Sequence, residues 1–145
     1  MGIGPITIQD PPMRADTRTI SIDAEPAKLV RFLADPRNLP RWAVGFAKAI
    51  RREAERWYVL TNGGEVRIRI AADEQSGVVD FFISPAPNVE ALAASRVIPR
   101  GKASEYVFTQ FQAPGMPEDV FEMNVKAVRH ELTVLKAIAE VECPL

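Results

Sequence analysis

The segment of residues 118–140, near the C-terminus, constrains the fold of this chain more than any other feature. Its apolar residues recur at steps of three and four, the spacing that places side chains on one face of an α-helix. The main apolar stripe contains Phe121, Val125, Val128, Leu132 and Leu135. A second, adjacent stripe contains Val120, Ala127, Val134 and Ile138. We therefore predict a helix of roughly 35 Å, whose wide apolar face must pack against another element.

Most of the chain before this helix has the pattern of β-strands. Apolar and polar residues alternate most clearly in residues 17–24 and 65–71, as in strands that are buried on one face. High β-propensity predicts another strand at residues 78–84. The other predicted strands are residues 47–52, 56–61, 92–99 and 103–112.

The dipeptide Asn62-Gly63 is the clearest hairpin signal. It predicts a type I′ turn, in which both central residues need a positive φ angle. The hairpin would pair Thr61 with Gly64, Val59 with Val66 and Trp57 with Ile68.

Two short helices are predicted after the first strand. Pro26 suits the first turn of a helix at residues 25–34, and Asp35-Pro36 ends it and starts another that reaches Pro40. Because a sheet cannot bury its apolar face alone, we predict an α+β fold in which a curved antiparallel sheet of about six to seven strands wraps on the C-terminal helix. A length of 145 residues suits one domain, residues 16–145, after an N-terminal arm at residues 1–15.

Composition argues against several classes of function. A net charge of −1 gives no basic footprint for nucleic acid, and no apolar run reaches the roughly 18–20 residues of an integral membrane segment. The single cysteine, Cys143, excludes an intrachain disulfide and favours a cytoplasmic location. His130 is the only histidine and is expected to be exposed, so neither a metal site nor a nucleophilic pair is predicted. No phosphate-binding loop or nucleotide motif is present, so no cofactor is expected.

Several short strings resemble the helix-grip superfamily called START-like or SRPBCC, which includes birch-pollen-allergen-like proteins, and in particular its bacterial polyketide cyclase/dehydrase-like branch. They are Thr19-Ile-Ser-Ile-Asp-Ala24 followed by Pro26; Phe32-Leu-Ala-Asp-Pro36 with Asn38-Leu39-Pro40 and Trp42; Gly77-Val-Val-Asp80; Arg96-Val-Ile-Pro99; Tyr106-Val-Phe-Thr109; and Glu131-Leu132 with Leu135-Lys136 and Glu140. Their order and spacing cover residues 17–140 and are more specific for a fold than for an activity.

The resemblance implies an apolar ligand cavity between the sheet and the long helix. It does not select an activity, because the superfamily includes lipid carriers, hormone binders, cyclases, oxygenase domains and chaperone activators, and function depends on the site rather than the fold. Relatives often carry a histidine after the aspartate of the Gly-Val-x-Asp string. Phe81 stands there in this chain, so chemistry that needs that histidine is not expected.

Glu131 is the strongest candidate for a functional side chain. It lies seven residues from Asn124, so both are predicted on one helix face between the apolar stripes and towards the sheet. One interpretation is a ligand-binding or acid–base carboxyl whose pKa is raised by burial. The other is a structural ion pair with an arginine such as Arg31 or Arg96, or a helix nearer the sheet edge.

Asp80 is a second candidate acid. Alternation in its strand places Val79 and Phe81 on one face and Asp80 on the other. An outward acid that faces Arg67 or Arg69 is therefore one interpretation, and a cavity acid beside Glu131 is the alternative.

Aromatic and aliphatic residues of the strands and the helix are predicted to line the cavity, although the same pattern is typical of a plain core. Ser95 and Gln110 would add hydrogen bonds if the register set by Gly101-Lys102 is right. The full set of predicted ligand-binding residues is Trp42, Phe46, Trp57, Val59, Ile68, Ile70, Phe81, Ser95, Val97, Tyr106, Phe108, Gln110, Asn124, Val128, Glu131 and Leu135.

Three functions remain open from the sequence. The first is the binding of a lipid- or polyketide-like molecule, apolar or aromatic, as a hydrophobic ligand. The second is a polyketide cyclase or dehydratase activity with Glu131, and tentatively Asp80, as acid and base. The third is a protein-interaction module with a collapsed cavity. The sequence leaves the oligomeric state, including a homodimer, undecided.

Overall fold

Seven antiparallel strands and one long helix account for most of residues 13–145, the part of the chain that the computed structural model describes. The strands are β1 (Ala15–Ile22), β2 (Ala49–Glu53), β3 (Arg56–Thr61), β4 (Gly64–Ala72), β5 (Val78–Ala86), β6 (Val89–Arg100) and β7 (Ala103–Phe111). The α-helices are α1 (Pro26–Ala34), α2 (Leu39–Trp42) and α3 (Glu118–Glu142), with a 3₁₀ turn at Pro36–Asn38. The predicted α+β fold is confirmed, with its two short helices after the first strand.

The strands form one sheet in the order β1-β7-β6-β5-β4-β3-β2, and every neighbouring pair is antiparallel. Helix α3 buries its main apolar stripe as predicted: Phe121, Val125, Val128, Leu132 and Leu135 are all buried. The second predicted stripe is only partly covered, since Val120 is 38% exposed. The helix therefore packs along one edge of its apolar face and leaves the other edge beside open space.

The hairpin between β3 and β4 has the predicted register but a different turn. Trp57 pairs with Ile68, Val59 with Val66 and Thr61 with Gly64. The predicted type I′ turn is wrong, because among the described residues neither Asn62 nor Gly63 has a positive φ angle, and Gly64 has a φ of 119° instead. The cause is the Thr61 hydroxyl, which accepts a hydrogen bond from the Gly63 N–H at 3.2 Å and donates one to the Gly64 carbonyl at 2.7 Å.

Some predicted boundaries also differ from the structure. Strand β2 begins at Ala49 rather than at residue 47, because residues 43–47 form a turn. Strand β6 begins at Val89, three residues before the prediction, and pairs with β5 past an irregularity in register between Ile83 and Ala86. Helix α3 continues to Glu142.

The turn after α2 positions backbone donors for the site. Ala43 accepts hydrogen bonds from the N–H groups of Phe46, at 3.0 Å, and Ala47, at 2.7 Å. This compact turn places the backbone of Gly45 and Phe46 against the middle of α3. Further back, the side chain of Asn38 donates to the Phe32 carbonyl at 2.8 Å, which ties α2 to α1.

The N-terminal part of the described chain belongs to the sheet. Residues 1–12 of the predicted arm lie outside the described residues, and β1 has already begun at Ala15. The Arg14 guanidinium forms ion pairs with Glu118 and Glu122 at the start of α3. Within residues 13–145, none of the helices has the length and apolar character needed to span a membrane.

Candidate functional site

A cavity of about 560 Å³ lies between the concave face of the sheet and α3. This volume falls within the range that is usual for small-molecule sites. Most of its wall is apolar, and among the described residues that line it, only Glu131 carries a charge. The polar residues Thr61, Asn62, Gln110 and Asn124 also contribute to the wall.

The cavity exists because large and small residues alternate across neighbouring strands. Phe81 on β5 pairs with Ala93 on β6, and Ile83 pairs with Ala91. An alanine methyl fills little of the space beside these larger side chains, so volume remains under α3. Towards the end of β7 the wall includes Phe111, which is 40% exposed.

Glu131 is a buried carboxyl on α3, only 5% exposed, and it faces the cavity. Its Oε2 atom accepts hydrogen bonds from the backbone N–H groups of Gly45 at 2.9 Å and Phe46 at 3.0 Å. The alternative ion pairs are wrong: Arg31 pairs with Glu74, and Arg96 donates to the carbonyl of Ser76. Within residues 13–145, Glu131 has no salt-bridge partner.

Burial raises the pKa of Glu131 to about 7. The loss of hydration disfavours the charged carboxylate, and the hydrogen bonds from Gly45 and Phe46, together with the more distant charge of Lys48, offset only part of this effect. Near neutral pH, the carboxyl is therefore divided between a protonated form that can donate and an ionised form that accepts. This is the behaviour required of a group that transfers protons or binds a polar ligand atom.

Gly45 allows the close approach between the α2 turn and α3. A Cβ atom at this position would lie 3.0 Å from the Cβ atom of Ala127 and 3.1 Å from Oε2 of Glu131. Both distances are tighter than ordinary van der Waals contact, so a side chain here would require Ala127 or Glu131 to give by a few tenths of an ångström. Sequence reasoning missed Gly45, because nothing in the local pattern shows which distant helix the turn meets.

Of the predicted ligand-binding residues, nine line the cavity and seven do not. Those in the wall are Trp42, Phe46, Ile68, Phe81, Phe108, Gln110, Asn124, Val128 and Glu131. Those elsewhere are Trp57, Val59, Ile70, Ser95, Val97, Tyr106 and Leu135. Six of the seven pack in or against the hydrophobic core instead. The seventh, Ser95, is buried, and its hydroxyl donates to the Val79 carbonyl at 2.6 Å rather than towards a ligand.

Asp80 does not reach the cavity. It lies on the opposite face of β5 from Phe81, paired with Ala71 on β4 and Ala94 on β6. The interpretation of Asp80 as a cavity acid is therefore wrong. Its outward position agrees with the other interpretation, but neither arginine lies opposite it: Arg67 pairs with Ser84 in the register, and Arg69 pairs with Phe82 and stacks on that ring at 4.0 Å.

The sequence also indicated Phe111 as an aromatic residue that could line a pocket, and it lies in the wall. Other wall residues were not predicted from the sequence: Leu39, Ala43, Gly45, Thr61, Asn62, Gly63, Ile83, Ala91, Leu92, Ala93, Ala113, Met116, Val120 and Ala127. Alternation in β5 could have identified Ile83, which shares a face with Phe81. The residues of the loop between β7 and α3 carry no such period. Residues 13–145 contain no group of three His, Cys, Asp or Glu side chains that could hold a metal ion, and His130 is exposed as predicted.

Comparison with known proteins identifies the fold. The Aha1 protein of Colwellia psychrerythraea, solved as a dimer, is 17% identical, with a TM-score of 0.66 over 89% of this chain and 98% of that chain. The Zhui aromatase/cyclase of Streptomyces sp. R1128 is 18% identical, with a TM-score of 0.64 over 88% and 94% of the two chains. Ara h 8.0201 is 14% identical, with a TM-score of 0.61 over 88% and 98%.

No protein-family model and no curated protein matches the chain in sequence. At the identities found among solved structures, the likeness concerns the architecture of sheet, short helices and long helix. The chain has the helix-grip fold that is also found in the Zhui aromatase/cyclase and in Ara h 8.0201.

Proposed function

We propose that this protein binds an apolar or aromatic small molecule, lipid- or polyketide-like, in the cavity between the sheet and α3. The observation that carries the proposal is a space of about 560 Å³ with a mainly apolar wall and one buried acid. Sites for small molecules commonly combine such a wall with a few polar groups that orient the ligand. The alternative of a protein-interaction module with a collapsed cavity loses its basis, because the cavity is not collapsed.

The binding proposal predicts that blocking the cavity will abolish ligand uptake. Ala91 lies on the concave face, paired with Ile83, in the exposed part of the cavity wall. We expect Ala91→Trp to weaken binding of the neutral fluorophore N-phenyl-1-naphthylamine at least about tenfold, because the indole occupies space that the probe needs. Fluorescence titration measures this affinity, and native mass spectrometry of the purified wild type should detect a co-purified ligand.

The matched control is Ala71→Trp. Ala71 is exposed like Ala91 but pairs with Asp80 on the opposite face of the sheet. The Ala71→Trp variant should therefore bind the fluorophore as the wild type does. Equal loss in the two variants, or no binding by the wild-type protein, would contradict the proposal.

A second candidate function is acid–base catalysis on a polyketide-like substrate. The observation that favours it is the cavity-facing Glu131, whose pKa of about 7 suits proton transfer near neutral pH. The likeness to an aromatase/cyclase supports the same substrate class. Under this proposal Glu131→Gln should keep the affinity for a neutral substrate but lower turnover by about 10²–10⁴-fold. Unchanged turnover, or no turnover by the wild type, leaves binding as the function.

The proposal also includes the cellular location and the oligomeric state of the protein. The single cysteine supports a reducing, cytoplasmic compartment. The dimeric state of the Aha1 protein supports testing for a homodimer by size-exclusion chromatography with light scattering.

A further inference from the structure

The polarity of the cavity wall restricts what ligand can enter it. Among the described residues of the wall there is no lysine, arginine or histidine, and Glu131 is the one acid. A carboxylate or phosphate on the ligand would therefore meet a like charge and no counter-charge. A neutral ligand would leave the buried acid without an ionic partner, whereas a cationic ligand would supply one.

We propose that the preferred ligand carries a protonated amine on an apolar or aromatic body, and that its ammonium group hydrogen-bonds to Oε1 of Glu131. This inference rests on the proposed binding function and names the class of ligand. Oε2 is already occupied by the two backbone N–H groups of Gly45 and Phe46. Oε1 accepts no hydrogen bond from residues 13–145, so it is the oxygen left for a ligand donor.

The geometry around Glu131 suits this pairing. The two amide hydrogen bonds come from a fixed turn and hold the carboxyl in one orientation, so a ligand does not have to order it. Burial raises the pKa of Glu131, because its ionised form loses hydration that the two backbone N–H groups only partly replace. An ammonium group within hydrogen-bond distance would restore that stabilisation, and an ion pair sheltered from water is stronger than an exposed one.

Aromatic rings in the wall favour the same class of ligand. The ring centroids of Trp42 and Phe81 lie 6.2 Å apart, and those of Phe81 and Phe108 lie 6.3 Å apart, in tilted pairs. Phe46, whose backbone N–H donates to Glu131, is a further aromatic residue of the wall. The faces of aromatic rings attract cations as well as apolar groups. The wall can therefore accept both the charged head and the apolar body of an amine.

The other charged groups around Glu131 do not line the cavity, so amine binding should depend on the ionisation of Glu131. Lys48, on the loop before β2, acts on it from a distance, and the Lys48 Nζ atom itself donates to the Val44 carbonyl at 2.9 Å. Strands β3 to β7 contribute no charged residue to the described wall. The neighbours of Glu131 on α3, Arg129 and His130, are exposed on the far side.

A series of three ligands with the same alkyl chain tests the inference: octylamine, 1-octanol and octanoic acid. Displacement of N-phenyl-1-naphthylamine from the wild-type protein measures their affinities. At about pH 8 we expect the amine to bind at least about tenfold more tightly than the alcohol, and the acid to bind most weakly. Equal affinities of amine and alcohol would overturn the inference.

The pH dependence gives a second, independent measurement. Because the amine pairs with the ionised carboxyl, its affinity should rise by up to about 30-fold between pH 5.5 and pH 8.5, given a pKa of about 7. The affinity of the alcohol should change little over this range. A flat profile for the amine would also overturn the inference.

The variant Glu131→Gln should remove both the preference for the amine and its pH dependence. Asp119→Asn is the matched control, because it changes the net charge equally at an exposed position on α3. It should leave both properties unchanged, and an equal effect in the two variants would contradict a role for Glu131. If the fluorophore binds but the amine is not preferred, only this inference fails; if no probe binds at all, the proposed binding function fails.

Discussion

Replacement of Gly77 by alanine is expected to lower the free energy of unfolding by about 3 kcal/mol or more, a large loss for one methyl group. Gly77 has a φ of 80°, and a Cβ atom there would lie 2.0 Å from the carbonyl oxygen of Val97. That oxygen belongs to the backbone of β6, so no side-chain rotation relieves the overlap. Hydrogen bonds also fix the backbone of Gly77. The Gly77 carbonyl accepts from the Val97 N–H at 2.8 Å, and the Gly77 N–H donates to the Asp73 carbonyl at 2.8 Å.

Gly101→Ala is the matched control for this effect. Gly101 also has a positive φ, 61°, but no atom lies within 4 Å of its hypothetical Cβ. The free energy of unfolding of the Gly101→Ala variant should fall only by the cost of placing alanine in the left-handed region, about 1–2 kcal/mol. Urea denaturation of both variants measures the difference. Equal losses would show that the contact with Val97 relaxes freely and that the close approach of Gly77 to β6 is not a structural requirement.

The second large effect is a fall in stability as the pH rises through neutrality. Burial raises the pKa of Glu131 from its usual 4.5 to about 7, so the folded protein holds this proton more tightly than the unfolded chain does. The stabilisation is fully present below about pH 4.5 and is lost as the pH rises through 7. At 1.36 kcal/mol for each unit of pKa, the total change is about 3 kcal/mol.

The comparison with Glu131→Gln isolates this contribution. Glutamine does not ionise, and its carbonyl can still accept from the N–H groups of Gly45 and Phe46. The difference in unfolding free energy between wild type and variant, measured by urea denaturation from about pH 4.5 to pH 8.5, should shift steadily in favour of the variant. A constant difference over this range would contradict a raised pKa for Glu131.

Other carboxyls change stability in the opposite direction and at lower pH. Their pKa values are lowered by hydrogen bonds, mainly from arginine, lysine and serine side chains, so their contribution is lost as the pH falls below the usual range of a carboxyl. These groups are Asp35, Glu65, Asp73, Glu118, Glu140 and Glu142. They therefore do not mask the effect of Glu131 in the neutral range.

The architecture could be predicted because it depends on local periodicity. The three- and four-residue steps of α3 and the alternation in β4 both follow from the geometry of one element at a time. The pairing of Val59 with Val66 also held, although the turn type did not. There the Thr61 hydroxyl competes with the backbone for hydrogen bonds and moves the positive φ angle to Gly64.

The predicted wall of the cavity was partly wrong for a related reason. Alternation tells which face of a strand is apolar, but it does not tell where α3 lies above that face. Val59 and Val97 lie on the inner face of the sheet but belong to the hydrophobic core, as does Leu135 on α3. Phe81 and Phe108 lie where helix and sheet separate.

The amino-acid sequence by itself determined the α+β class, the order of strands and helices, and the inward position of Glu131 on α3. Each follows from the period of side chains along a single element. Tertiary structure alone decided that Gly45 and Phe46, more than eighty residues before Glu131, would bind that carboxyl. Such contacts depend on how distant elements pack, because the burial and the hydrogen-bond partners of a residue are set by the residues around it in the folded structure and not by its neighbours in the chain.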